Sequence, residues 1–175
     1  YESIPLNMAG YALAAYLLIV HGLMVWKAER CKEWLNRLPR HRAAGVYTLA
    51  IGMFWFWLLI APENLGVLSS LTMDIGEFNA VKPWLRIIVP VAFLGMVICV
   101  KEFLFVRALG VVALMASGPL LEAAFNRDPA TRLLIPFFSY VLLTAGLFWV
   151  GMPYIFRDLA KWATDSHKRW MGLAL

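Results

Sequence analysis

Residues 43–61 read AAGVYTLAIGMFWFWLLIA, with Arg40-His41-Arg42 before them and Pro62-Glu63-Asn64 after. The stretch carries no charge. About 20 apolar residues are what a helix needs to cross a hydrocarbon core of about 30 Å. Phe54, Trp55, Phe56 and Trp57 surround the helix almost completely, so no face is left for water. Lipid, a neighbouring subunit or a pigment would each cover such a surface. The segment is therefore expected to span a membrane.

Four more stretches read the same way outward from it: Pro5–Trp26, Leu85–Val100, Ala108–Phe125 and Leu133–Phe156. The fold class expected is all-α, a polytopic integral membrane protein with about five transmembrane helices forming one domain over residues 1–175. Composition agrees, since 62% of the 175 residues are hydrophobic and 15% charged, with a mean hydropathy of +0.70. Soluble domains are nearer 45–50% apolar. The third and fourth stretches are separated only by Lys101, Glu102 and Arg107 as charged groups, with no Gly or Pro to mark a turn. A tight hairpin is expected there, its ends held at the interface by snorkelling Lys and Arg.

Lys and Arg also orient the chain. Placing the N-terminus outside puts Lys27, Arg30, Lys32, Arg37, Arg40, Arg42, Lys101, Arg107, Arg157, Lys161, Lys168 and Arg169 on the cytoplasmic side. Lys82, Arg86, Arg127 and Arg132 remain outside. Such a bias in short loops follows the positive-inside rule. The expected setting is an integral protein of a bacterial cytoplasmic membrane. The net charge of +5 is then a signal of topology, and nucleic acid is not an expected partner. The first stretch lacks a charged leader and a small-residue cleavage site, so it reads as a span rather than a signal peptide. Cys31 and Cys99 both fall near the cytoplasmic side, where no disulfide is expected.

The connections carry patterns of their own. Residues 27–42 space Ala28, Cys31, Leu35 and Leu38 helically, and residues 157–170 follow Ile155 with Leu159 and Trp162, opposed by Arg157, Asp158, Lys161 and Asp165. Both read as interfacial helices whose basic sides meet anionic lipid at the cytoplasmic face. Residues 62–84 suggest a third surface helix through Leu65, Leu68, Leu71, Ile75 and Phe78, with Asp74 and Glu77 on its acidic side. Trp26, Trp34, Trp162 and Trp170 mark the inner interface, and Trp84 the outer one.

An internal repeat is suggested by two signatures. Arg42-x-x-Gly45 opens the second span, Arg107-x-x-Gly110 the fourth, and Arg169-x-x-Gly172 stands where a sixth would begin after Leu175. Pro5, Pro90 and Pro136 each follow Ile or Val near the outer ends of the odd spans. Arginine holds a span's depth, and glycine three residues on permits close helix approach. Proline is tolerated in the first turn of a helix, where its missing N–H has no partner to lose. The unit would be a helix hairpin used two and a half times.

Polar groups deep in a span are few, and each is a candidate by default. His21 lies in the inner half of the first span, where an imidazole would ligate haem iron or a chlorin magnesium, relay protons, or bond to a backbone carbonyl. Glu122 follows the Ser117-Gly118-Pro119 break near the outer end of the fourth. It would hold a cation or proton, or pair with Arg86 or Arg132. Gly10 with Ala14, then Ala44, Thr48 and Gly52, then Ala113 with Ser117, are spaced for close packing. Catalytic signatures are absent: there is no Gly-x-Ser-x-Gly, His-Glu-x-x-His, P-loop or dinucleotide fingerprint, and no metal site or cofactor is strongly implied. The expected function is an accessory or scaffold subunit of a larger membrane complex. A small transporter, channel or lipid-handling protein working through Glu122 is the second reading. A redox or pigment-binding subunit using His21 is the third.

Overall fold

The structure is a computed structural model that describes residues 5–62, 72, 76–100, 102–125 and 130–174. Eight α-helices are described: α1 (Leu6–Trp26), α2 (Ala28–Arg37), α3 (Arg42–Leu59), α4 (Lys82–Cys99), α5 (Leu104–Ala124), α6 (Leu134–Gly151), α7 (Pro153–Thr164) and α8 (His167–Ala174). The described residues include five helices long and apolar enough to cross a membrane: α1, α3, α4 with the 3-10 turn before it, α5 and α6. At 1.5 Å per residue, 18–21 residues reach about 27–32 Å, which matches a bilayer core.

Local sequence sets the ends of these helices. Lys27 alone separates α1 from the amphipathic α2, which carries Glu29 in its first turn and Arg37 in its last, matching the helix dipole at both ends. A 3-10 turn over Leu38–Arg40 buries Pro39. His41 then caps α3, its Nδ1 accepting the Ala44 N–H at 3.1 Å. α4 lies against α3 and not along α5, so the hairpin expected of the third and fourth spans is not formed, although the chain between them makes a short turn. Phe103 makes it without glycine by adopting the left-handed conformation at φ 55°.

The span limits differ from the sequence reading at three places. The third helix starts at Lys82 rather than Leu85, because Pro83 occupies its first turn and a 3-10 turn over Gly76–Val81 leads into it. Pro90 is therefore inside α4 and not in an opening turn. The fourth starts at Leu104, four residues before Ala108, which takes Arg107 into the helix. The fifth stops at Gly151, because Met152 breaks the helical path and Pro153 begins a new, amphipathic helix. The C-terminal segment, expected to lie at the interface, is correspondingly two helices, α7 and α8. Most of the expected surface helix over 62–84 lies outside the described residues; Gly76–Val81 is a 3-10 turn.

α5 is the central helix, packed most extensively on α6 and α3. Small residues make both interfaces. A Cβ added to Gly45 would stand 2.7 Å from the Phe105 nitrogen. One added to Gly52 would stand 3.1 Å from the side chains of Val111 and Val112. On the other side Gly110 faces Gly146: a Cβ on Gly110 would meet the Gly146 oxygen at 2.8 Å, and one on Gly146 the Gly110 oxygen at 3.0 Å. Ser117 and Ser139 lie seven residues further along α5 and seven back along α6, so antiparallel packing brings both to one level of the seam. Both are buried, and each hydroxyl donates within its own helix, to Leu114 O at 2.7 Å and Ile135 O at 2.8 Å.

The α3–α4 pair is clipped at both ends by arginine. Arg42 at the start of α3 donates to Val97 O in the last turn of α4 at 3.1 Å. Arg86 near the start of α4 donates to Ile60 O at the end of α3 at 2.6 Å. Helix C-terminal carbonyls lack intrahelical donors and carry partial negative charge, so a guanidinium suits both. α1 stands at the edge. Ala9 packs with Ala123, Ala124 and Ile135 at one end. At the other, buried Trp170 of α8 donates its indole N–H to Met24 O at 3.0 Å.

Candidate functional site

Between those two anchor points α1 stands off the bundle and leaves an apolar cleft of about 570 Å³. Small side chains open it, Ala9 and Ala12 from α1 facing Ala113 and Ala116 from α5, while Tyr16, Trp55, Phe138 and Trp149 wall it. Pro119 lines it too, but α5 runs as one helix through Gly118 and Pro119, so the break expected there is not formed. A second apolar hollow, of about 370 Å³, separates α3 and α4 beside Pro90, with Met53, Trp57 and Phe93 around it.

The two titratable candidates do not meet. His21 is near the α2 end of α1, and Glu122 is near the far end of α5, the end that packs on the start of α1. His21 Nδ1 lies 2.7 Å from Leu17 O one turn back in the same helix. With Nδ1 as donor to that carbonyl, Nε2 keeps its lone pair. Glu122 is exposed and makes no ion pair among the described residues. Arg86, one expected partner, is committed to Ile60 O instead.

The three Arg-x-x-Gly sequences play different parts. Gly45 and Gly110 both seat a neighbouring helix, whereas a side chain at Gly172 would meet nothing within 4 Å. Arg42 clips α4, and the Arg107 Nε is buried without a hydrogen-bond partner. Arg169 donates to Trp162 O at 3.4 Å and lies 5.0 Å from the Trp162 ring. Pro5 precedes the first turn of α1, and Pro136 is the third residue of α6. Among the residues spaced for close packing, Gly52, Ala113 and Ser117 are buried, but Ala14 is exposed. Trp170, expected at the interface, is 1% exposed, because α8 folds back against α1.

Basic residues gather where α2, the start of α3, the α4–α5 turn and α7 meet. Two adjoining hollows of about 540 and 380 Å³ share Pro39, Arg40, Phe103 and Arg157 as walls. Arg42 and Glu102 complete one, and Lys161 and Asp165 the other. Asn36 Nδ2 donates to Thr164 Oγ1 at 3.2 Å, tying α2 to α7. Arg157 lies 5.9 Å from the Phe103 ring centre and pairs with Asp158 at 2.8 Å. Elsewhere on α2, Lys32 hydrogen-bonds Glu29 at 2.9 Å. That bond and the Lys32 charge hold the Glu29 carboxyl below its ordinary value, with a smaller pull from His167.

Sequence reasoning missed this hollow, as well as the His41 cap and the Gly146 half of the seam. The seam had a legible signal: Gly110 with Ser117, and Ser139 with Gly146, are small pairs seven residues apart. The hollow had none, because its walls come from segments more than 50 residues apart. Comparison with protein-family descriptions, with curated proteins and with solved structures finds no match.

Proposed function

We propose that this protein is an integral membrane accessory or scaffold subunit, and that a transmembrane helix of another chain lies against the outward side of α1. The observation that carries the reading is the weak hold on α1 within its own chain. Its only buried residue is Ala9, although it is as long as α5, which buries eight. Lipid competes well for apolar surface, so hydrophobicity alone would not favour a partner. Close approach of small residues would. Ala14, Ala15 and Gly22 are exposed on α1, and a side chain added at Gly22 meets nothing within 4 Å. The twelve basic residues assigned to one face favour the orientation with the N-terminus outside.

Extraction in mild detergent from the native membrane, followed by native electrophoresis, tests the reading. Co-migration with one or more other chains is expected. Migration as a lone 19.8 kDa chain in its detergent belt would overturn it. As a second arm, Gly22→Trp is expected to release the partner without lowering the thermal stability of the isolated chain. Full retention of every co-purifying chain in that variant would remove α1 as the docking helix.

A further inference from the structure

The paired hollows on the basic face hold more than a diffuse charge. We propose that they bind the phosphate group of an anionic ligand, with Arg40 at the centre and Arg42, Arg157 and Lys161 around it. The four cations come from two remote segments, residues 40–42 and 157–161; Arg40 and Arg157 line both hollows, Arg42 one and Lys161 the other. Among the described residues Arg40, Arg42 and Lys161 have no carboxylate at ion-pair distance, although Glu102 and Asp165 also line the walls. Arg157 is the exception, paired with Asp158. Acids at the rim lower the net charge, so the site favours a compact, doubly accepting anion over a large polyanion. The guanidinium fork matches phosphate oxygens in pairs.

Two further features suit the same ligand. Leu104, the buried first residue of the 21-residue α5, lines one hollow, so the partial positive charge of that helix end adds to the cations there, although the Phe105 nitrogen is packed against Gly45. The walls are also pre-formed: the Asn36–Thr164 bond ties α2 to α7, and the Arg42–Val97 bond ties α3 to α4. Phe103 holds its left-handed conformation between them, with its ring under Arg157. A phosphate could belong to a phospholipid headgroup or to a soluble phosphate ester, and the site chemistry is common to both.

Purified full-length chain in neutral detergent is titrated with short-chain phosphatidylglycerol, with phosphatidylcholine, and with glycerol 3-phosphate. Binding is read as a rise in melting temperature. Phosphatidylglycerol or glycerol 3-phosphate is expected to stabilise the protein, and phosphatidylcholine is not. The double variant Arg40→Gln, Lys161→Gln is expected to weaken that binding at least tenfold. Both side chains are exposed and make no hydrogen bond that the fold requires, so its ligand-free melting temperature should match the parent. A control double variant, Arg30→Gln with Lys168→Gln, removes the same charge outside the hollows and should leave binding intact. Response to glycerol 3-phosphate assigns a soluble ester, and response to the lipid alone assigns a headgroup. Equal loss in both double variants would reduce the effect to surface charge and overturn the site. So would the absence of binding by either phosphate compound.

Discussion

α1 and α5 are both 21 residues long and nearly uncharged, yet one lies at the rim and the other at the centre of the bundle. Both carry small residues at intervals that permit close packing. On α5 these residues are used, since Gly110 meets Gly146 backbone to backbone and Ala113 and Ser117 are buried beside them. On α1 they are not, since a Cβ at Gly10 would touch only Ile135 Cδ1 at 3.9 Å and one at Gly22 would touch nothing. A small-residue stripe is thus permission for close packing and not its cause. The cause is a second stripe at matching spacing on a neighbour, and α6 supplies one to α5.

The largest test of that contrast is Gly110→Leu beside Gly22→Leu. At Gly110 the new side chain must enter the space of the Gly146 oxygen and Val150 Cγ2, each 2.8 Å from its Cβ. Overpacking of this kind costs about 3 kcal/mol, near the top of the usual range. Gly22→Leu should stay within about 0.5 kcal/mol. Unfolding of the isolated protein in detergent, followed by circular dichroism, measures both. Equal losses would mean that α1 is held as tightly as α5.

Arg86→Leu comes next. It removes the 2.6 Å bond to Ile60 O and leaves the end of α3 without its donor. A loss of about 1.5–2 kcal/mol is expected, as for a charge-assisted bond in a partly buried place. The same unfolding assay reads it, and an unchanged midpoint would show that α4 is held by apolar packing alone.

Trp170→Ala should act locally. Its indole is the described polar link from α8 to α1, so α8 should detach while the α5–α6 seam stays closed. Limited trypsin digestion should cut at Lys168 and Arg169 several times faster than in the parent, with little change in the main unfolding transition. Unaltered cleavage would show α8 held by other contacts.

The smallest effect concerns pH. Lys32 holds the Glu29 carboxyl below its ordinary value in the folded chain, so this contribution is present above the ordinary carboxylate range and fades as acid protonates Glu29. The group is fully exposed, so the change in Glu29→Gln should show only as a slightly flatter acid limb in α2 helicity. A steeper limb would contradict the assignment.

Much of the helix inventory was legible in advance, because hydropathy runs of about 20 residues are local signals. The ends were less so. Arg107 reads as an interfacial charge, but Phe103 in a left-handed turn lets α5 begin early enough to include it. Pro153 was hidden in an apolar run and starts α7. Of the site residues, His21 and Glu122 could be found by depth in a span. The Arg40 hollow could not, since no window of sequence contains Arg42, Phe103 and Lys161 together.

The amino-acid sequence by itself determined that the described chain is helical, with five helices able to span a membrane and its positive charge massed between particular pairs of them. These properties depend on hydropathy and charge, which add up along a chain. Tertiary structure alone decided which apolar helix is central, which arginine clips which carbonyl, and that two remote basic segments line adjoining hollows. In apolar surroundings every span is equally content on hydrophobicity, so the arrangement turns on steric fit between helix faces and on a few directed hydrogen bonds. Those quantities exist only between segments.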